Sequence, residues 1–328
     1  MKKRIAFQSG QVSERGTEVA LFDYALGNER VLGNESICLF PRDRILSETA
    51  NERFNRLFEV RYYDSPADWD RLLEELRVDG FYSIRYGGGF GKDELPASVP
   101  AFIHCVFDTR RPYGALCASI SPYLNTKFHT ALPVMPHIVQ KKSRVRENIR
   151  AVHGLGSGVT VFGCYGGKQS FSVECARKAV LEAARAGEGL AFLFMNIEPF
   201  CEAPNVFFLP GSTDADEKQR FINSCDAMLH ARSDGETFGL SVAEFFISGK
   251  PIITYKPRFD LRRRYDRAHL DMLDGACTVY SSKRELLHIL LNFQKRELDE
   301  ALIDATYLRP YSSERVMGIF DELFVSKL

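Results

Sequence analysis

Short apolar runs alternate with amphipathic stretches along most of this chain, and that alternation restricts the fold more than any other feature. "RIAF" is followed by a pattern opening at Gly16, with apolar residues at Val19, Phe22, Ala25 and Leu26, the spacing of a helix face. "SICLF", "GFYSI" and "AFIHCVF" are further strand-like runs, "ALCASIS" is another, and helical stretches near 51–58 and 67–76 lie between them. Runs that are apolar at successive positions suit strands covered on both faces, which is the condition of a parallel sheet with crossover helices.

Between Pro133 and Gly158 the pattern breaks into prolines, a basic run and a Gly/Ser cluster, which marks a linker. A second series then starts with "VTVFGCYG", a helix over 170–185, and the strands "LAFLFM" and "NVFFL". A helix over 216–223, the strand "AMLHA", a helix over 238–247 and the strand "PIITY" follow. "CTVY" precedes a helix over 282–293, and 312–328 is helical again. A chain of 328 residues exceeds what one core supports. The expected architecture is α/β, with a Rossmann-like domain over 1–150, a second over 151–308, and a terminal helix over 309–328 that packs back on the first.

Lys+Arg and Asp+Glu each number 43, so no overall field draws in nucleic acid. Local basic clusters at 2–4, 141–150 and 258–267 leave a peripheral membrane contact open. Eight cysteines without a Cys-x-x-Cys pair argue against a disulfide framework or zinc site and fit a reducing cytoplasm. No metal-ligand spacing is evident, no window reaches the length of a membrane helix, and "IAF" is too brief for a signal peptide.

The chemistry concentrates in "GETFGLSVAE", Gly235 to Glu244. Ligands of open parallel sheets sit beyond the carboxyl ends of the strands. That is where Arg232 to Glu236 follow "AMLHA", with Gly239 and Leu240 at the next helix start. Helix N-terminal amides favour phosphate, and a glycine there permits close approach. With the helix beginning near Phe238, Glu244 lies about 9 Å along it. The two carboxylates would then take sugar and ribose hydroxyls on either side of a diphosphate. The competing reading has Glu236 supporting the helix dipole and Glu244 facing solvent. The turn, the glycine, the "FF" and the "SGKPIIT" strand entry fit the ligand reading together. Gly163-x-x-x-Gly167-Lys168-Gln169 is one residue short of a phosphate-binding P-loop and lacks its Ser/Thr. "GLGSG" (Gly154–Gly158) precedes a strand, the wrong order for a dinucleotide fingerprint.

The stretch "DAMLHARSDGETFGLSVAEFFISGKPIITY" resembles the nucleotide-sugar site of retaining GT-B glycosyltransferases, the family-four group with its Glu-x7-Glu motif. The likeness is specific over 206–255 and looser but continuous elsewhere. It implies two Rossmann-like domains with parallel sheets facing across a cleft. It also implies a sugar moved from a UDP- or GDP-type donor to a glycan, lipid-linked or small-molecule acceptor, with retention and without metal or cofactor. Carried over by residue, Glu236 contacts the donor sugar, Phe238, Gly239 and Leu240 lie by the diphosphate, and Glu244 binds ribose. Lys168 matches the diphosphate lysine; the usual arginine is not evident at 164–167, which leaves Arg232 to supply the charge. Gly16 and Thr17 match a small loop facing acceptor and phosphate. His104 matches an active-site histidine, although a lone histidine ending a strand is more often structural. Asp108, with Arg110 and Arg111, would line the acceptor side. A same-fold epimerase or phosphorylase, a silent sugar-nucleotide binder and, more remotely, a dinucleotide-dependent oxidoreductase are the alternatives.

Overall fold

Two six-stranded, all-parallel sheets organise the computed structural model, which describes residues 2–88, 95–140, 143–187, 189–260, 264–299, 303 and 309–328. Residues 141–142 of one basic cluster and 261–263 of another lie outside the described residues. Two compact units divide the chain, the first comprising Met1–Ile138 with Pro310–Leu328 and the second Val139–Arg309.

In the first unit, strands β1 (Arg4–Gln8), β2 (Glu35–Pro41), β3 (Glu59–Tyr63), β4 (Gly80–Gly87), β5 (Ala101–Asp108) and β6 (Leu116–Ser119) lie in the order β3-β2-β1-β4-β5-β6. Helix α1 (Gly16–Arg30) buries residues around most of its circumference, among them Val19, Leu21, Phe22, Tyr24 and Ala25. α2 (Glu48–Leu57), α3 (Trp69–Glu75) and α4 (Pro122–Phe128) follow. β3 is the strand that the apolar pattern missed. It lies at the sheet edge, and of its "EVRYY" only Tyr63 is fully buried, so no apolar run signals it.

The second unit holds β7 (Thr160–Tyr165), β8 (Leu190–Met195), β9 (Val206–Leu209), β10 (Ala227–His230), β12 (Ile252–Tyr255) and β14 (Thr278–Tyr280), in the order β14-β12-β10-β7-β8-β9. A small parallel pair, β11 (Gly235–Glu236) with β13 (Asp266–Arg267), stands apart from it. The helices are α5 (Glu174–Arg185), α6 (Ala215–Ser224), α7 (Leu240–Ile247), α8 (Ala268–Leu273) and α9 (Lys283–Leu291). Counted within each unit, both sheets follow the doubly wound order three-two-one-four-five-six. The winding reverses between β1 and β4 in the first unit and between β7 and β10 in the second, and these reversals are where such sheets open a crevice.

The division after Ile138 falls ahead of the boundary expected at residue 150. Side chains explain the difference. Ser143 Oγ donates to Asp216 at 2.6 Å, Asn223 Nδ2 donates to Val145 O at 2.9 Å, and Arg150 pairs with Asp226 at 2.7 Å. The basic stretch before the Gly/Ser cluster is therefore bound to α6 and the foot of β10. Among the described residues no helix is long and apolar enough to cross a membrane.

The last helix, α10 (Ser313–Leu323), completes the first unit's core. Its Phe320 is fully buried, with ring centroids 5.4 Å from Tyr82, 5.9 Å from Phe102 and 6.1 Å from Phe7. Phe320→Ala should therefore lower unfolding stability by about 3–5 kcal/mol in urea denaturation. A loss below about 1 kcal/mol would show that the helix is dispensable to that core.

Candidate functional site

β10 ends at the reversal point of the second unit, and the residues after it build the site. From His230 the chain turns through Ala231–Asp234 into β11. Gly235 has φ +69°, and a Cβ there would lie 1.9 Å from the Asp266 carbonyl oxygen, so only glycine lets β11 pair with β13. Gly239, at φ +96°, begins α7, and a Cβ on it would lie 3.0 Å from His269 Cβ and 3.4 Å from Glu236 Cβ. The helix thus starts at Leu240, later than the start near Phe238 that the sequence suggests, because the left-handed cap breaks the helical run. Gly239 brings no side chain to the cap, and the first turn carries no acid. A helix start of this kind, without a side-chain cap or a first-turn acid, is one whose amides can meet an anion.

Glu236 is held from two sides. Arg232 Nη1 donates to Oε2 at 3.0 Å, and His230 Nε2 stands 3.4 Å from Oε1. Burial pushes this carboxyl up, but the His230 hydrogen bond and the Arg232 charge outweigh it and hold the pKa down at about 2. Behind the carboxylate runs a buried chain. His230 Nδ1 is 2.8 Å from Thr254 Oγ1, which is 3.2 Å from His269 Nε2, itself 3.2 Å from Tyr265 OH. Thr254 Oγ1 thus links the two imidazoles, and Nε2 is the His230 nitrogen turned toward Glu236. Burial, and then the neighbouring His230, depress His269 to about 3, so its ring is neutral.

Sequence reasoning passed over His230 and Thr254. A histidine closing the apolar run "AMLH" was the available signal, since a polar residue at a strand's carboxyl end sits where this fold places ligands.

Lys168 is exposed in the turn beyond β7, where Ser170 N donates to Gly167 O at 2.8 Å. The segment after it is tied to the Arg232 loop. Ser172 N donates to Ala231 O at 2.8 Å, and Ser233 N donates to Ser172 Oγ at 3.0 Å. The fold thus brings the loops carrying Lys168, Arg232 and Glu236 to one end of the sheet. Burial raises the Cys164 thiol pKa, with the charge of Glu236 the next contribution, which puts that cysteine in the carboxylate's field.

On α7, Leu240, Ser241, Glu244 and Ile247 form the half-buried stripe, while Val242, Ala243, Phe245 and Phe246 face the core. Glu244 on that stripe lines a concavity with Tyr165, Lys218, Gln219 and Ser143. Lys218 Nζ is 5.8 Å from the centre of the Tyr165 ring. Phe238 is buried beneath the turn and Leu240 is half-buried.

In the first unit, Gly16 and Thr17 head α1. Thr17 Oγ1 donates to Glu18 at 2.9 Å, and Glu18, a buried carboxylate, also accepts from Ser9 Oγ at 3.1 Å and from Ser13. Glu18 therefore ties Ser9 and Ser13 of the β1–α1 loop to the start of α1. His104 does not end its strand as expected. β5 continues to Asp108, and the ring is fully buried 2.8 Å from Tyr82 OH, its centroid 5.7 Å from those of Tyr24 and His137. Burial holds it neutral with a pKa of about 3. Asp108 ends β5, nearly buried, and accepts from Arg110 Nε at 3.0 and 3.1 Å, which keeps its carboxyl below the usual range. Among the described residues no three His, Cys, Asp or Glu side chains group as a metal site.

No protein-family model and no curated protein sequence matches the chain. Solved structures do. A glycosyltransferase from Rickettsia africae ESF-5 is similar with a TM-score of 0.67 at 10% identity, covering 98% of each chain. Anabaena HepE, solved with UDP and glucose, gives 0.62 at 14% identity over 99% of this chain and 96% of that one. AviGT4, a glycosyltransferase of avilamycin A biosynthesis, gives 0.61 at 14% identity over 99% and 98%. The fold is accordingly GT-B, an α/β architecture of two Rossmann-like domains.

The buried neutral histidines make stability depend on acid. His104 and His269 bind no proton in the folded chain until about pH 3, whereas unfolded histidine takes one up near 6.5. Stability should therefore fall as pH drops below about 6.5, each histidine adding a slope of up to about 1.4 kcal/mol per pH unit. Glu236 adds to this lower down, because its stabilisation is complete above 4.5 and is lost as pH falls toward 2. Urea unfolding at pH 7.5, 6 and 5 reads the slope, which should shrink in His269→Asn. A flat profile across that range would contradict the neutral-histidine assignment.

Proposed function

We propose that the chain is a glycosyltransferase that moves a sugar from a UDP- or GDP-type donor to an acceptor hydroxyl. The observation that carries this reading is the pair of glutamates flanking the glycine cap of α7, one held ionised at the strand end and one lining a concavity. Glu236, fixed by Arg232 and His230, accepts hydrogen bonds from the donor sugar's hydroxyls. The diphosphate lies on the amides of Gly239 and Leu240, over the buried Phe238. Glu244 takes the ribose hydroxyls, and the base enters the concavity beside Tyr165.

As the bond to the sugar breaks, negative charge grows on the leaving diphosphate. Lys168, Arg232 and the first-turn amides of α7 are the donors for it, which makes electrostatic stabilisation the main catalytic contribution. No cofactor or metal is assigned a step. The acceptor hydroxyl attacks from the leaving-group side, its proton passing to the departing phosphate, and the configuration is retained. Gly16, Thr17 and Asp108 mark the acceptor's side of the first unit. His104 receives no role, since its ring is enclosed in the core. The likeness to structures described as glycosyltransferases, one of them holding UDP and glucose, supports the reading. Eight free cysteines accord with a reducing, cytoplasmic setting.

Thermal shift with UDP, GDP, UDP-glucose and GDP-mannose tests it. One donor series should stabilise the wild type, by about 2.7 kcal/mol at a hundredfold excess over Kd. Glu244→Ala should weaken every nucleotide, whereas Glu236→Ala should still bind the free diphosphate and lose the increment due to the sugar. Full sugar discrimination and turnover by Glu236→Ala would overturn the assignment.

A further inference from the structure

The first unit has its own reversal point, between β1 and β4, and an arginine stands there that the donor chemistry leaves unused. Phe81, Ser83 and Arg85 alternate along one face of β4, beside Gln8 at the carboxyl end of β1. Arg85 Nε donates to Ser83 Oγ at 2.7 Å, and Arg85 Nη2 donates to Gln8 Oε1 at 3.1 Å. Both acceptors are fixed. Ser83 Oγ itself donates to Gln8 Oε1 at 2.7 Å, Gln8 Nε2 donates to Tyr63 OH at 2.7 Å, and neither Ser83 nor Gln8 is more than 2% exposed. The guanidinium carbon stands 5.7 Å from the centre of the Trp69 ring.

Every acceptor that Arg85 uses is neutral, and among the described residues no carboxylate pairs with it. The buried carboxylate of the adjoining loop, Glu18, is occupied by Ser9, Ser13 and Thr17. A half-buried cation kept in place by neutral groups retains its full charge while losing part of its hydration. A guanidinium has five N–H donors, and the two bonds above leave the Nη1 pair and one on Nη2, the fork that matches phosphate or carboxylate oxygens. The network of Gln8, Ser83 and Tyr63 fixes the direction in which that fork points.

We propose that Arg85, set against Trp69, is a binding site for an oxyanion, phosphate or carboxylate, carried by the acceptor. That the anion belongs to the acceptor rests on the transferase reading; the anion site itself does not.

Trp69 is the single tryptophan and is only 3% exposed, so its emission reports on the surroundings of Arg85. The full-length chain is titrated with inorganic phosphate, glucose 6-phosphate and glucuronate. Glucose serves as the uncharged control and sodium chloride at equal ionic strength as the screening control. Phosphate should change the emission saturably, glucose and chloride should not, and the better of the two anionic sugars shows which oxyanion is preferred. Arg85→Gln should raise the apparent Kd at least tenfold, and Arg85→Lys should weaken it too by losing the fork. Circular dichroism and the thermal midpoint confirm that each variant is folded. A response that is unsaturable, matched by chloride, or equal in wild type and folded Arg85→Gln overturns the proposal. The donor thermal-shift series runs alongside. A phosphate response without any donor response would sink the transferase reading and keep the anion site, and the reverse result would sink only the anion site.

Discussion

The clasp on Glu236 is the interaction on which the rest of the second unit's site depends. A carboxylate largely withdrawn from water would ordinarily take up a proton. Here Arg232 and His230 reverse that preference and keep it charged. The clasp has its own support, since His230 is oriented by Thr254, Thr254 meets His269, and these residues come from β10, β12 and α8. The charge at the strand end is therefore held by a network that crosses the sheet.

Sheet order decides what that charge can meet. Because β7 and β10 are neighbours although far apart in sequence, the Lys168 turn and the Arg232–Glu236 loop come to one end of the sheet, joined by Ser172 and Ser233. The two glycines then let backbone stand where side chains would block it, Gly235 against Asp266 and Gly239 against Glu236 and His269. A cationic turn, a fixed carboxylate and an uncapped helix start are thereby assembled without a long loop. The first unit repeats the sheet order with different chemistry, placing Arg85 and Gln8 at its own reversal point.

Much of the fold was legible because parallel strands covered on both faces must be apolar at successive positions, and "AFIHCVF" and "LAFLFM" declare themselves that way. β3 did not, because an edge strand with one fully buried residue has no such signature. The candidate site was visible where glycines and acids fall at spacings that neither a plain helix nor a plain strand requires, as in "GETFGLSVAE". His104 misled because an apolar run does not say where its strand ends, and Asp108 lies four residues beyond it in β5.

The order of residues alone determined the two βα series, the glycine-flanked acid and the spacing of Glu236 and Glu244. Those follow from local spacing, and local spacing is what periodicity records. Tertiary structure decided that Glu236 is ionised, that His230, Thr254 and His269 form one chain, that 139–150 joins the second unit, and that Arg85 faces neutral partners. Each of these depends on which strands become neighbours and on how much water is excluded between them, and neither quantity is carried by any single stretch of sequence.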